Sequence, residues 1–514
     1  MKKLIITIII TSTVCSDPAD EQLEIFKKKH KSPIGIMTTS AGKPIPVSET
    51  ASTLNTRLIF NEYLMDTLTH LSRERLPERV VHGKGTGAFG YFEVTNDITN
   101  ICKASIFSKI GKRTPIAVRF SSIITERGAS DVSRDVRGFA VKFYSERGNF
   151  DMVGLNHPVF VTKDARLFTP FIHSQKRNPA TNLFDKTTFW DYLTLQPESF
   201  NLFLRLFSDL GIPDGYIHMP GYSIHTLQVE NSKGDIFFVR FHLIPKAGIK
   251  NLTAEEASKI SASDPDYDTR HLYNSIAKGI FPCWMFAAQI VTPAQVEVAG
   301  ADRIFDVTRI LPLHEYPLTE IGKIVLNRNY LNYFADIEQL ALHPSNLIEG
   351  ILGAPDNVFE ARRLSYRDAL YYRLGANYNR VKVNCPLNDI FTYNRDGRPY
   401  LYDNMINIPN YYPNSFNGPL PYTDNGSQPL IVIKENEPNN FDQMTEFYVN
   451  DLTDDERDRL IENIVNSLKL AAKFIQERAT KIFSTIHPEL GAKVKEGLIR
   501  NRYKKFVNQE IDIS

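Results

Sequence analysis

The chain has 514 residues, of which 42% are hydrophobic and 23% charged, and this ordinary globular composition excludes a disordered or collagen-like protein. Lys and Arg number 60 and Asp and Glu 59, so the formal net charge is +1. That balance gives no electrostatic footprint for nucleic acid or a membrane surface, and we expect neither as a partner.

The first 16 residues resemble a secretory signal peptide. Lys2 and Lys3 precede an apolar run from Leu4 to Ile10, and small residues follow up to Ser16. The run is too short to span a bilayer, and the last residues match no peroxisomal address. We therefore expect a secreted protein that is not peroxisomal and has no membrane span; a frayed apolar terminus is the alternative.

The remaining cysteines do not indicate a disulfide framework or a zinc site. Cys15 falls within the expected signal peptide, which leaves Cys102, Cys283 and Cys385 as an odd set without a CxxC pair. We expect the apolar core, and not crosslinks, to stabilise the protein.

The pattern along the chain predicts four further regions. Residues 17–77 are polar with scattered Pro and predict an extended N-terminal arm. From 78 to 325, short runs rich in Val, Ile, Phe and Tyr alternate with turn residues, which predicts antiparallel strands in a barrel or sandwich with a helical insert near 186–210. Residues 326–445 show little periodicity, and we expect them to wrap over the barrel. Helical spacing predicts a C-terminal helical domain at 446–514.

One nucleotide-binding motif is matched by its residue types but not by its structural context. Gly85, Gly87 and Gly90 match the GxGxxG fingerprint, but the residues that follow continue as a strand instead of opening a helix. We reject this motif, and the chain has no GxSxG or HExxH motif either.

Six segments resemble the small-subunit haem catalases, from about residue 40 to 505 in order and with few gaps. They are PERVVHGKGTGAFGYFEVTND from Pro77, RTPIAVRFSS from Arg113, RDVRGFAVKFY from Arg134, HSQKRNP from His173, VLNRNYLNYFADIEQ from Val325 and NYYPNSF from Asn410. The resemblance implies an α+β fold: an arm, an eight-stranded antiparallel β-barrel, a wrapping segment and a C-terminal helical domain. It also implies a homotetramer that contains haem b and converts hydrogen peroxide to water and oxygen.

The resemblance also assigns the catalytic residues. His82 matches the distal histidine that moves a proton between peroxide oxygens, and Ser121 matches the serine that orients that ring. Tyr366 matches the axial ligand of the haem iron. Arg362 lies four residues earlier on the same helix face and matches the arginine that stabilises the phenolate.

Further positions match residues that hold haem. Three guanidinium groups match those that bind the haem propionates as bidentate partners: Arg79, Arg119 and Arg373. Three apolar side chains match pocket contacts, although core packing would explain them equally: Phe168 on the haem face, and Val81 and Phe160 in the walls. Asp135 matches an acid in the access channel, with a solvated surface carboxylate as the alternative.

The distal loop DMVGLNHPVF departs from the family pattern. Leu155 stands where the family has an Asn that donates a hydrogen bond to peroxide, Asn156 matches the second Asn, and His157 replaces a Thr. Losing one such donor typically costs ~10²–10³ in rate, so we expect a slow catalase. A shift that brings Asn156 or His157 inward would compensate.

Two other regions also depart. Near Tyr366, the substitutions Arg363, Leu364, Arg367 and Leu370 predict weaker donation by the phenolate, unless both arginines point to solvent. At the NADPH site of many relatives, Ser208 remains, but seven matching positions have changed: Asn201, Arg205, Leu210, Pro220, Ile244, Leu311 and Leu313. We predict that NADPH does not bind, because an apolar lining cannot pair phosphates.

Two alternatives to a catalase remain open from the sequence. The first is a haem peroxidase acting on small organic donors, because Leu155 disfavours an oriented peroxide. The second is a haem-binding homologue without turnover, because the haem-holding residues remain while one catalytic residue is gone.

Overall fold

The computed structural model describes residues 17–30, 32–50, 61–423, 431 and 441–511, with side chains as far as residue 501. The expected signal peptide at 1–16, including Cys15, lies outside these residues. The arm, barrel, wrapping and C-terminal boundaries stay predictions. Within the described chain, no helix is long and apolar enough to cross a membrane.

Eight strands close into an antiparallel barrel, as the sequence predicts. The ring runs β1-β2-β3-β4-β5-β7-β8-β9 and returns to β1, while β6 and β10 extend it beside β7. The strands are β1 Gly85–Val94, β2 Arg113–Ser122, β3 Arg137–Ser145, β4 Gly148–Leu155, β5 Gly221–Tyr222, β6 Leu227–Glu230, β7 Ile236–Pro245, β8 Cys283–Val291, β9 Leu318–Arg328 and β10 Ile351–Gly353.

Aromatic side chains fill the barrel interior. Phe92 packs edge-on against Phe107, Phe143 and Phe286, with ring centroids 5.9, 5.6 and 5.2 Å apart. Phe92, Phe143 and Phe286 lie on strands, where side chains alternate between the two faces of the sheet, while Phe107 lies in a turn between β1 and β2. The rejected glycine motif lies in β1, where a Cβ on Gly90 would lie 1.8 Å from the Val325 carbonyl oxygen.

The described residues also form helices before, between and after the strands. In chain order they are α1 Gln22–Lys29, α2 Val47–Thr50, α3 Glu62–Leu71, α4 Phe168–Gln175, α5 Lys186–Leu195, α6 Phe200–Phe207, α7 Ala254–Ser263, α8 Tyr267–Ala277, α9 Pro293–Ala299, α10 Ala301–Ile304, α11 Asn357–Leu374, α12 Asp442–Glu446, α13 Asp454–Leu468, α14 Lys473–Ile486 and α15 Pro488–Ile511. The helical insert predicted near 186–210 contains α5 and α6. At the start of α13, Thr453 and Glu456 form the reciprocal cap that their spacing predicts.

A second apolar cluster joins the outer barrel wall to the C-terminal helices. It runs from Leu155, at the end of β4, through α5 and α6 to α13, α14 and α15. Trp190 in α5 donates its indole N–H to Ser467 Oγ in α13 at 3.0 Å. The cluster therefore ties the β4 end to the helical domain.

The backbone pairing with β7 is interrupted between β5 and β6. Tyr222 pairs with His242, yet Leu227 pairs with Val239, so the first strand carries two extra residues. Ile224 lies in the break with φ 69°, a left-handed conformation that a β-branched residue rarely adopts. The break directs the next residue out of the ladder.

Candidate active site

His82 is held by its backbone and by its ring just before β1. Its N–H donates to the Ile123 carbonyl at 2.9 Å, and its own carbonyl accepts from Arg119 Nη2 at 2.9 Å. Its φ of 67° is left-handed, a strained conformation that the surrounding contacts maintain. His82 Nδ1 lies 2.9 Å from Ser121 Oγ. The structure thus brings His82 and Ser121 together as expected.

The environment keeps the His82 imidazole neutral. Burial lowers its pKa to about 3, and the charges of Arg119, Arg362 and Arg79 contribute. Because Nδ1 faces Ser121, the other ring nitrogen, Nε2, is available for proton transfer. It has no hydrogen-bond partner within the part of the chain that the structure describes.

Gly138 allows the ring to lie flat against β3. A Cβ at this position would lie 2.8 Å from His82 Nδ1 and 2.6 Å from Ser121 Oγ. Both distances are shorter than real Cβ contacts. A side chain at residue 138 would therefore displace the pair.

Tyr366 and Arg362 meet on one face of α11, on the other side of the site. Arg362 Nη2 donates to the Tyr366 hydroxyl at 2.9 Å and to the Val153 carbonyl at 2.9 Å. The guanidinium carbon lies 4.9 Å from the Tyr366 ring centroid. The guanidinium charge of Arg362 therefore lies directly beside the Tyr366 hydroxyl and ring.

Two residues behind Arg362 complete a hydrogen-bonded chain that the sequence analysis missed. His225 Nε2 lies 2.8 Å from Arg362 Nη1, and His225 Nδ1 lies 2.8 Å from Asp356 Oδ2. Since arginine only donates, Nε2 must accept and Nδ1–H must donate to Asp356. Burial lowers the pKa of His225, which agrees with a neutral ring. The helix-cap position of Asp356 before α11 is a local signal, whereas nothing local marks His225.

Two arginines contact the Glu338 carboxylate, and the charge of a third, Arg119, acts on one of them. Arg373 Nη2 donates to Glu338 Oε1 at 2.7 Å, and Arg79 Nη1 lies 3.5 Å from the same oxygen. Burial, together with the charges of Arg119 and Arg373, lowers the pKa of Arg79 well below its usual range. Arg119 Nε and Arg373 Nη1 are buried without a hydrogen-bond partner among the described residues. The cluster therefore has room for further negative charge.

Apolar side chains form a wall on the His82 side. Phe160 and Phe168 stack with centroids 5.9 Å apart and planes 17° apart. Both rings, together with Val81, pack on the second apolar cluster, which contains Leu155. All three side chains are only partly buried.

Comparison with known proteins identifies the family. The sequence profile described as Catalase matches residues 38–418, and the one described as Catalase-related immune-responsive matches residues 434–498. The chain belongs to the catalase family. The curated catalase of Sus scrofa is 46% identical over 490 residues, covering 93% of each chain. That of Drosophila melanogaster is 44% identical over 503 residues, covering 95% of this chain and 99% of its own.

Solved catalase structures share the fold. A fungal catalase superposes with a TM-score of 0.84 at 37% identity, covering 92% of this chain and 98% of its own. Catalase A from Saccharomyces cerevisiae gives a TM-score of 0.82 at 38% identity, covering 90% of this chain and 99% of its own. The chain is thus a catalase enzyme, and catalases typically bind haem and act on hydrogen peroxide.

The residues present fit haem b. Two propionates would supply acceptors for Arg119 Nε and Arg373 Nη1, the buried donors that lack partners among the described residues. They would also balance the charges of Arg79, Arg119 and Arg373, of which two contact Glu338. Tyr366, which accepts a hydrogen bond from Arg362, would be the ligand of the iron. The apolar wall suits the face of a macrocycle. These residues would therefore hold the cofactor.

Leu155, where an Asn was expected, lies next to His82 in the strand ladder. Leu155 pairs with Gly138, the residue against which His82 lies, and is 5% exposed. Asn156 is engaged elsewhere, because its Oδ1 accepts from the Arg137 backbone N–H at 2.8 Å. The catalase amide position is thus occupied by hydrocarbon, and the neighbouring amide oxygen bonds to β3.

His157 is a buried neutral ring behind the loop. Burial lowers its pKa to about 3, with contributions from the charges of Arg205 and Arg137. Its Nε2 has no hydrogen-bond partner among the described residues. No hydrogen bond or ring contact joins it to His82 in that part of the chain.

Of the four altered residues near Tyr366, three are exposed on the outer side of α11, whereas Leu370 is buried. Arg363 and Arg367 are exposed, and their Nε atoms approach Ser345 Oγ at 3.0 Å and His343 Nε2 at 3.4 Å. The solvent-facing alternative therefore describes them correctly. They do not contribute to the Arg362–Tyr366 pair.

Asp135 is buried, so the reading of a solvated surface carboxylate is wrong. Its Oδ2 accepts from the backbone N–H groups of Ile124 and Thr125 at 2.7 and 3.2 Å. Burial raises its pKa. The carboxyl braces the turn that follows β2, next to Ile123, which binds the His82 N–H.

Proposed function

We propose that the chain is a haem b catalase of the small-subunit, tyrosinate-ligated type that dismutates hydrogen peroxide with reduced turnover. The observation that carries the proposal is the neutral His82–Ser121 pair facing the site opposite Arg362 and Tyr366. Two molecules of peroxide give two of water and one of oxygen. When bound, the haem iron supplies the two-electron redox chemistry.

The protein supplies proton transfer and charge. His82 Nε2 takes the proton from one peroxide oxygen and returns it to the other, and the hydrogen bond to Ser121 keeps the ring oriented. Arg362 stabilises the negative Tyr366 oxygen, while His225 and Asp356 hold the guanidinium in place. Arg79, Arg119 and Arg373 would fix the propionates and therefore the plane of the macrocycle.

Oxygen evolution per bound haem tests the proposal. We expect measurable evolution that His82→Ala abolishes while haem content is retained. Haem content without oxygen from the unaltered protein would instead indicate a non-catalytic haem-binding homologue. Failure to take up haem would refute the assigned ligand and propionate sites.

Leu155 favours a second candidate activity, peroxidation of small organic donors. Dismutation needs a second hydrogen peroxide oriented as reductant, and Leu155 removes the donor that would orient it. A one-electron donor has no such requirement. Donor oxidation faster than oxygen evolution at equal peroxide concentration would establish this activity.

The absence of NADPH binding is a further part of the proposal. In the corresponding region, Asn201 Nδ2 donates to the Thr308 carbonyl at 2.9 Å and to Gln443 Oε1 at 3.3 Å. Arg205 is buried, with its guanidinium carbon 4.3 Å from the Phe447 ring centroid. The chain's own side chains thus contact these positions. A tight, stoichiometric fluorescence titration with NADPH would contradict the proposal.

Secretion and tetramer assembly complete the proposal. Lys2, Lys3 and the apolar run after them support export, which the N-terminal sequence of protein recovered from the medium would test. Large apolar side chains are exposed on the arm and the wrapping segment, as at a surface that a second copy covers: Ile34, Ile36, Leu68, Tyr400, Phe416 and Leu420. Light scattering of the holoprotein tests for a homotetramer.

A further inference from the structure

The distal side of the site combines one polar group with a hydrocarbon wall. Leu155 pairs across the ladder with Gly138, which places it on the sheet face that carries His82. Leu155 shares its apolar cluster with Phe160 and Phe168. A molecule next to His82 therefore meets one imidazole and several hydrocarbon groups.

No hydrogen bond from either neighbour of Leu155 reaches His82 among the described residues. The Asn156 oxygen accepts from the Arg137 N–H, and the Asn156 N–H donates to the Arg137 carbonyl at 2.9 Å, so this residue is anchored to β3. The His157 ring is buried near the charges of Arg205 and Arg137. The His82 ring is therefore the polar group that we assign to a bound peroxide, with Nε2 as the acceptor of its proton.

Hydrogen peroxide and an alkyl hydroperoxide would interact differently with such a hydrocarbon wall. Hydrogen peroxide is polar at both ends and leaves one end unpaired against leucine, which costs binding free energy. An alkyl hydroperoxide places its O–O–H end at His82 and its alkyl group against the wall. Burial of each methylene is favourable by about 0.8 kcal/mol, or about fourfold in affinity.

We propose that this site is selective for small alkyl hydroperoxides, which it reduces to alcohols while small organic one-electron donors, such as phenols, serve as the reductant. The inference rests on the proposed haem site between His82 and Tyr366. One alkyl hydroperoxide and two donor molecules give the alcohol, water and two donor radicals. The O–O bond of the hydroperoxide breaks and its terminal proton passes through His82 to the alkoxy oxygen. The two donors supply two electrons and two protons to the terminal oxygen, which leaves as water.

An equilibrium measurement tests the apolar wall without turnover. The ferric holoprotein is titrated with formic, acetic, propionic and butyric acids, following the haem absorbance and correcting for ionisation of each acid. We expect the dissociation constant to fall about fourfold for each added methylene. Leu155→Asn should reduce that step below twofold, whereas the isomeric control Leu155→Ile should retain it. No dependence on chain length in the unaltered protein overturns the proposal.

A kinetic comparison tests the substrate preference. The ratio of kcat/KM for ethyl hydroperoxide to that for hydrogen peroxide should fall at least tenfold in Leu155→Asn. An equal ratio in both proteins, with normal haem content, overturns the inference and leaves the proposed catalase function intact. Absence of haem, or of any reaction with either peroxide, overturns the proposed function as well.

Discussion

Replacing Leu155 by Asn should raise catalase turnover. Leu155 pairs with Gly138, and a Cβ on that glycine would touch the His82 ring, so an amide at 155 enters the space next to the imidazole. One preorganised donor is typically worth ~10²–10³ in rate. We expect a gain of about 10²-fold in oxygen evolution per haem, because the surrounding wall remains apolar.

The same substitution should cost stability. Leu155 is 5% exposed and packs in the cluster that ties β4 to the helical domain. Removing its side chain and burying an amide there should cost about 2–4 kcal/mol. A lower unfolding temperature with faster turnover would show that the leucine was retained at the expense of dismutation.

An oxygen electrode and a haem assay on the same preparation measure this effect. Leu155→Ala is the matched control, because it removes the leucine without adding a donor, and its turnover should stay within a few-fold of the unaltered protein. An unchanged or lower rate for Leu155→Asn at normal haem content would refute the reasoning. An equal gain in turnover in both variants would show that the effect comes from removing the leucine side chain and not from adding a hydrogen-bond donor.

Three further predictions follow from the structure. Asp356→Asn keeps the cap of α11 but places an amide N–H opposite the His225 N–H, so two donors face each other. This mismatch should lower the free energy of unfolding by about 1–3 kcal/mol and shift the haem absorption spectrum. The control Asp368→Asn, on the exposed face of α11, should do neither. The pKa of His82 is lowered from 6.5 to about 3, so its contribution to the free energy of unfolding decreases as the pH falls from 6.5 towards 3. The pH profile of kcat/KM should show no inflection near 6.5, and an inflection there would contradict a neutral His82 ring. Gly138→Ala should displace His82 and reduce turnover at least tenfold while haem binding persists, and full activity would show that the ring has another position.

Local pattern predicted the barrel because its strands carry their own signals. Val, Ile, Phe and Tyr alternate in β1, β2, β3 and β7, and turn residues separate the runs. Closure of the ring depends on pairing between β1 and β9 and between β7 and β8, which are far apart in sequence. Such pairing has no local signal, and it came from the resemblance to a known fold. The β5–β6 break was equally invisible, because Ile224 is a poor choice for a left-handed residue.

Candidate site residues that belong to a sequence motif were predictable, whereas residues that join the site only through a hydrogen-bond network were not. Arg362 and Tyr366 share one helix face at a spacing of four, so their contact follows from helix geometry. His225 reaches Arg362 only because the chain leaves the ladder at Ile224. The substitutions Arg363 and Arg367 looked important in sequence because they flank Tyr366. Their positions on the helix circumference place them outside its contact.

The Tyr366 side of the site keeps its polar contacts, whereas the His82 side departs from the family pattern at Leu155. Haem binding and turnover are therefore expected to be affected differently. On the side of Tyr366, every link from Asp356 through His225 to Arg362 is within 2.9 Å. On the side of His82, the ring and its serine remain, but the second donor is replaced by Leu155. Loss of structure alone would erode buried polar contacts on both sides, since each costs free energy when unpaired. Retention of one network beside a single apolar replacement is what we expect of the proposed site, which would still bind haem and transfer protons but differ in what it accepts beside His82.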